Sequence, residues 1–117
     1  MSRRRHAISN PTDAQIMVRI AAGDEHALGE LYDRHAGEAF GLATRVLRDS
    51  TLAEDAVSEG FLSVWRSAAT FDASRGSARV WLLLLVHRAA VEIVQRRECE
   101  RPLHVSDRRT EGALALD

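Results

Sequence analysis

Apolar residues recur at intervals of three and four through Leu28, Leu31, Tyr32, Ala36, Ala39, Phe40, Ala43, Val46 and Leu47. This stripe constrains the fold more than any other feature of the chain. With 3.6 residues per turn these positions share one face of a helix, whereas on a strand they would scatter over both faces. The segment therefore reads as a long amphipathic helix, with Asp24 as its N-cap. The stripe runs through Gly29, Gly37 and Gly41, each weaker than alanine by about 1 kcal/mol in a helix. Their missing side chains are expected to let another helix approach closely.

Three more helices follow from the same signals. Thr12 caps a short one over Asp13 to Ala22, with Ile16, Met17 and Ile20 on one face and Gly23 ending it. Thr51 and Glu54 have capping-box spacing and open a third. That helix carries Ala53, Ala56, Val57, Phe61, Val64, Trp65 and Ala68 on one side. Ser77 caps a fourth with room for about 20 residues, roughly 30 Å. Its apolar arc is very wide: Leu82, Leu83, Leu84, Val86, Ala89, Ala90, Val91, Ile93 and Val94. Only a narrow stripe is polar (Arg88, Glu92, Gln95 and Arg96), with Trp81 and Leu85 at its upper end. A helix this apolar is central in a bundle or covered by a partner. No strands or repeats are read. The expectation is an all-α four-helix domain over residues 12–100, between a flexible arm (residues 1–11) and a linker-like tail (residues 101–117).

Composition excludes several function classes. A hydrophobic content of 45% with 28% charged residues describes a folded chain. The net charge of −1 rules out a polycation that coats nucleic acid, so any such contact is local. All 16 basic residues are arginine, which suits forked contacts to phosphate but also follows from codon composition. Cys99, the single cysteine, cannot support an internal disulfide and fits a reducing cytoplasm. The longest apolar run, Val80 to Val86, is too short to span a membrane, and no signal-type segment follows Arg3-Arg4-Arg5. A cytoplasmic protein that does not engage membranes is expected. His6, His26, His35, His87 and His104 match no ligand spacing, and no phosphate loop or nucleophile motif is present. Neither a metal, a cofactor nor an enzyme activity is expected.

Two patches remain. Between the third and fourth helices, Phe71, Asp72, Arg75, Ser77 and Arg79 cluster at a helix N-terminus, whose free N–H groups and partial positive charge suit phosphate. Phe71 or Trp81 could stack on an unpaired base; the alternative is a capped interhelical loop with both aromatics buried. On the polar side of the third helix, Leu62 lies among Glu54, Asp55, Ser58, Glu59 and Arg66. An apolar residue within a polar patch has the look of a docking point, and the alternative is a scattered surface leucine.

Three ordered motifs carry a resemblance covering about Asp13 to Arg97. They are Leu31-Tyr32-Asp33-Arg34-His35-Ala36, Ala53-Glu54-Asp55-Ala56-Val57-Ser58-Glu59-Gly60-Phe61-Leu62-Ser63-Val64-Trp65, and Phe71-Asp72-Ala73-Ser74-Arg75-Gly76-Ser77-Ala78-Arg79-Val80-Trp81-Leu82 with Val86-His87-Arg88-Ala89-Ala90-Val91. Together they resemble region 2 of sigma-70-type factors, closest to the extracytoplasmic-function group. The resemblance implies an all-helical domain that docks on the beta-prime clamp helices of RNA polymerase core through Glu54, Asp55, Ser58, Glu59 and Leu62. It further implies melting of the promoter −10 element and capture of a flipped non-template base by Phe71, Asp72, Arg75, Ser77 and Arg79, with His87 and Arg88 further along. An anti-sigma factor is an implied partner. The pattern usually has glutamine where Ser58 stands, and more arginine in the last helix. The second DNA-binding domain of such factors is not read in this chain. The alternative is a degenerate region 2 interaction module that binds a regulator or sigma-like partner without strong DNA contacts.

Overall fold

Four local caps start the four helices. In the computed structural model, which describes residues 10–100, these are α1 (Asp13–Ala21), α2 (Glu25–Leu47), α3 (Ser50–Ser67) and α4 (Ala78–Glu100). Two single 3₁₀ turns, Ala68–Thr70 and Ala73–Arg75, join α3 to α4. The arm and tail expected at residues 1–11 and 101–117 lie outside the described residues, apart from Asn10 and Pro11. Thr12 and Gln15 form a reciprocal capping box at α1. The Asp24 carboxylate accepts from the His26 and Ala27 N–H groups at α2. Ser77 Oγ accepts from the Val80 N–H at α4, 3.1 Å away.

The third cap differs from expectation. Asp49, not Thr51, is the N-cap of α3, and its carboxylate accepts from the Leu52 N–H at 2.9 Å. A carboxylate both takes an orphan donor and meets the positive end of the helix dipole, so the helix starts before Thr51.

The core is built from small and branched residues. Ile16, Leu31, Val64, Leu82 and Val86 are the largest side chains fully enclosed. α3 and α4 form the most extensive helix pair, α2 packs on both, and α1 lies against α2. The expected close-approach glycines face the wrong way: nothing would meet a Cβ at Gly29, Gly37 or Gly41. The close approach is at Gly60 of α3, where a Cβ would come within 2.4 Å of Val86 Cγ2 and 3.0 Å of Val86 Cα. The α2 stripe is also rotated slightly. Ala27 is buried, while Tyr32 is 47% exposed and rests edge-on against Phe61, ring centroids 5.0 Å apart.

On α4 the arc needs a second correction. Ala78, Leu82, Val86, Ala89, Ala90 and Ile93 are buried, and Trp81 and Leu85 pack against that core rather than joining the polar stripe. Leu84, on the arc expected to be central or covered by a partner, is 60% exposed, and Val80 is 49% exposed. Each residue turns the helix by about 100°, so two steps from Leu82 carry Leu84 to the far side.

Ion pairs tie the helices together at their margins. Asp13 of α1 holds Arg34 at 2.9 Å and His35 at 2.8 Å on α2. Burial pushes the Asp13 carboxyl up, but these hydrogen bonds and charges together leave it below its ordinary value. Arg19 bridges Asp24 and, through both guanidinium ends, Glu30. No helix among the described residues is long and apolar enough to cross a membrane, and none of their acidic, histidine and cysteine side chains cluster as metal ligands would.

Candidate nucleic-acid interface

The connection from α3 to α4 is held by its own side chains. Thr70 Oγ1 donates to the Ser67 carbonyl at 2.7 Å. Asp72 Oδ1 accepts from both the N–H and the hydroxyl of Ser74, at 2.9 and 2.7 Å. Those two hydrogen bonds hold the Asp72 carboxyl below its ordinary value. Gly76 then takes φ 155° and ψ 178°, a conformation essentially restricted to glycine. It turns the chain into the Ser77 cap. The Ala78 and Arg79 N–H groups are left without an acceptor among the described residues, as expected in a first helical turn.

This connection borders a cavity of about 380 Å³. Phe71 and Trp81 line it, their rings 5.2 Å apart and tilted by 46°. Val80 and Leu84 extend the apolar lining, and Asp72, Arg75 and Ser77 add polar groups. Phe71 is half-buried, so it is neither a free stacking platform nor a core residue. Arg75 is exposed, and no carboxylate pairs with it among the described residues.

The other candidates divide. His87 and Arg88 are exposed two turns beyond Val80 and Trp81 and one turn beyond Leu84, so they continue the cavity face along α4. Arg79 does not share that face. Its guanidinium makes a forked ion pair with Glu38 of α2, with Nε 2.8 Å from Oε1. That contact raises the Arg79 pKa and lowers that of Glu38. Arg79 therefore ties the start of α4 to α2 and stands apart from Phe71, Asp72, Arg75 and Ser77. Val80 and Leu84 were missed as site residues. Their spacing to His87, at i+7 and i+3, was the signal that could have found them.

The second patch stays on a different helix. Glu54, Asp55, Ser58 and Glu59 are exposed on α3, and Leu62 is 47% exposed among them. Arg66 approaches Glu59 at 3.5 Å. Trp65, at the margin of this face, is half-buried.

The chain matches the family model for sigma-70 region 2 over residues 31–98. It is 42% identical over 94 residues to proteins named ECF RNA polymerase sigma factor SigK from Mycobacterium tuberculosis and Mycobacterium bovis, covering 80% of this chain and 48% of each relative. The same identity holds over 88 residues with a SigK from a further Mycobacterium species, covering 74% of this chain and 46% of the relative. The chain thus spans about half the length of the curated relatives it matches. Since the matched segment holds α3, the connecting loop and nearly all of α4, the chain belongs to the sigma-70 region 2 family and is a region 2 domain of the extracytoplasmic-function sigma factor type.

Proposed function

We propose that this domain docks on RNA polymerase core through the α3 face and recognises and opens the promoter −10 element at the cavity between the loop and α4. The cavity carries the reading. It joins two tilted aromatic rings to a polar margin and continues along α4 to His87 and Arg88. An unstacked base gains stacking from such walls, while its backbone stays within reach of arginine. Holding the base outside the duplex offsets an unstacking cost of a few kcal/mol. The domain contributes binding energy and geometry to initiation, and no bond is made or broken by its own residues. Few cations take part, so log affinity should fall only gently with log salt, by about 0.7 per phosphate neutralised.

A pull-down with core RNA polymerase tests the docking half. Leu62→Arg should abolish capture while shifting stability by no more than about 0.5 kcal/mol, as at other exposed positions. Fluorescence anisotropy with a single-stranded −10 non-template oligonucleotide, with and without core, tests the other half. Failure to bind in both conditions would sink the promoter reading.

A second reading has its own support. Val80 and Leu84 are exposed at 49% and 60% on one face of α4. Such a face also fits an interaction module covered by an anti-sigma or sigma-like chain. A domain that ignores both core and DNA yet self-associates in light scattering would favour it.

A further inference from the structure

Arg79 stands in the first turn of α4, next to Val80 and two residues from Ser77, both of which line the cavity. Its guanidinium nevertheless lies against α2, where Nε and Nη2 donate to the two carboxylate oxygens of Glu38. Those two donors form an edge with which arginine forks onto a carboxylate or a phosphate. Glu38 and a phosphate therefore compete for the same atoms. The pair is open to solvent, its side chains 48% and 44% exposed. Exposed ion pairs are weak ties, so a nucleic-acid strand can displace the carboxylate. Against that, a carboxylate fixed on the neighbouring helix competes at high effective concentration. The hydrogen bonds from Arg79 also hold the Glu38 carboxyl below its ordinary value, which keeps it charged and competitive.

We propose that Glu38 stands in for a phosphate and withholds Arg79 from the DNA backbone, setting the affinity of the single-strand site from outside it. This inference rests on the promoter reading above and adds a restraint that none of the cavity-lining residues supplies. Arg75 is exposed at the cavity and Arg88 further along α4, so the strand meets few cations and the loss of one more is felt. With Glu38 neutral, the guanidinium leaves α2 and neutralises one further phosphate. Removing the Glu38 charge also weakens its own repulsion of DNA, but that effect does not depend on Arg79, and a double substitution separates the two.

The test is a fluorescence anisotropy titration of the full chain with a single-stranded −10 non-template oligonucleotide, with and without core RNA polymerase, over a series of salt concentrations. Glu38→Gln keeps the shape of the side chain and removes its charge. It should tighten binding at low salt and steepen the log–log salt slope by about 0.7. Over an about fourfold rise in salt, that steepening is an extra loss of about 2.6-fold in affinity. Adding Arg79→Ala to Glu38→Gln should return the slope to the wild-type value, whereas Arg79→Ala alone should leave it unchanged. Asp33→Asn controls for net charge: it removes an exposed α2 carboxylate that pairs with no arginine among the described residues, and should not steepen the slope. Glu38→Gln and Arg79→Ala break the same tie, so a purely structural role would move both variants alike. A wild-type slope in Glu38→Gln would overturn the proposal, and so would equal steepening by Asp33→Asn. A slope flattened by Arg79→Ala alone would also overturn it, because Arg79 would then reach DNA with Glu38 in place. In all three cases the wild type still binds and the promoter reading stands. An oligonucleotide that binds neither the wild type nor Glu38→Gln, even with core present, would overturn the promoter reading and this restraint together.

Discussion

Replacing Gly60 with alanine separates two effects of opposite sign. In a helix interior the change gains about 1 kcal/mol of intrinsic propensity. Against this, the new Cβ would stand 2.4 Å from Val86 Cγ2, 3.0 Å from Val86 Cα and 3.2 Å from Val86 N. Favourable carbon–carbon separations are about 3.5–4.0 Å, so the overlap exceeds an ångström at the methyl group. A rotamer change could move Cγ2. It cannot move the Val86 backbone, so α3 and α4 must separate along the largest helix interface of the domain. Overpacking of this kind costs about 1–3 kcal/mol, and the backbone contact places Gly60→Ala at the upper end. The net loss should be about 1–2 kcal/mol, each kcal/mol lowering Tm by about 4–8 °C in a domain of this size. Gly37→Ala supplies the control. It meets nothing within 4 Å, and should gain about 0.5–1 kcal/mol. Urea and thermal melts followed by far-ultraviolet circular dichroism read both. If Gly60→Ala proves as stable as the wild type, the close crossing of α3 and α4 is wrong.

Phe71→Ala should lower both stability and affinity for single-stranded DNA. The ring is half-buried against Trp81, so the stability loss should fall below the roughly 3–5 kcal/mol of a fully buried aromatic, while the lost stacking should weaken binding by about 1–3 kcal/mol; a melt and an anisotropy titration on the same protein check the two. Arg75→Ala should flatten the log–log salt dependence of oligonucleotide binding by about 0.7, one phosphate's share on a single strand, whereas Arg79→Ala should leave that slope nearly unchanged and destabilise the start of α4. Equal slopes for Arg75→Ala and the wild type would remove Arg75 from the site. Stability should also respond to acid through Glu38. Hydrogen bonding to Arg79 holds its folded pKa below the ordinary 4.5, so the contribution is fully present above that value and is lost as pH falls through the lower folded pKa. Glu38→Gln should therefore flatten the acid limb of a stability–pH profile, and an unchanged limb would mean the ion pair contributes nothing.

Much of the candidate site was legible because it is local. Asp72, Arg75, Gly76 and Ser77 stand within a few residues of one another, and a helix start leaves N–H groups free whatever else the fold does. The exposed face of α3 could likewise be read from a helical wheel. Legibility failed where a partner element was needed. Arg79 sits beside Ser77 in sequence and looked like part of the same cluster, but Glu38, 41 residues earlier, claims its guanidinium. Leu84 lay on the wide apolar arc of α4, which fitted either a central helix or one covered by a partner, and the wheel did not say which of its leucines face the core.

The chain alone determined its helices, since the 3.6-residue period, the capping residues Thr12, Asp24 and Ser77, and the glycine at 76 act over a few residues each. The motifs at their spacing also determined the family. Only the tertiary structure decided which way each helix is turned. The wide apolar surface of α4 fits several rotations about its axis, and burial energy alone hardly distinguishes them. Gly60 does, because the backbone of α4 can approach α3 only where no side chain intervenes, and Val86 fills that position. With Val86 set against α3, Trp81 and Leu84 turn towards the loop and the cavity opens between them. Contact between residues far apart in the chain made that choice, and periodicity along one helix carries no record of it.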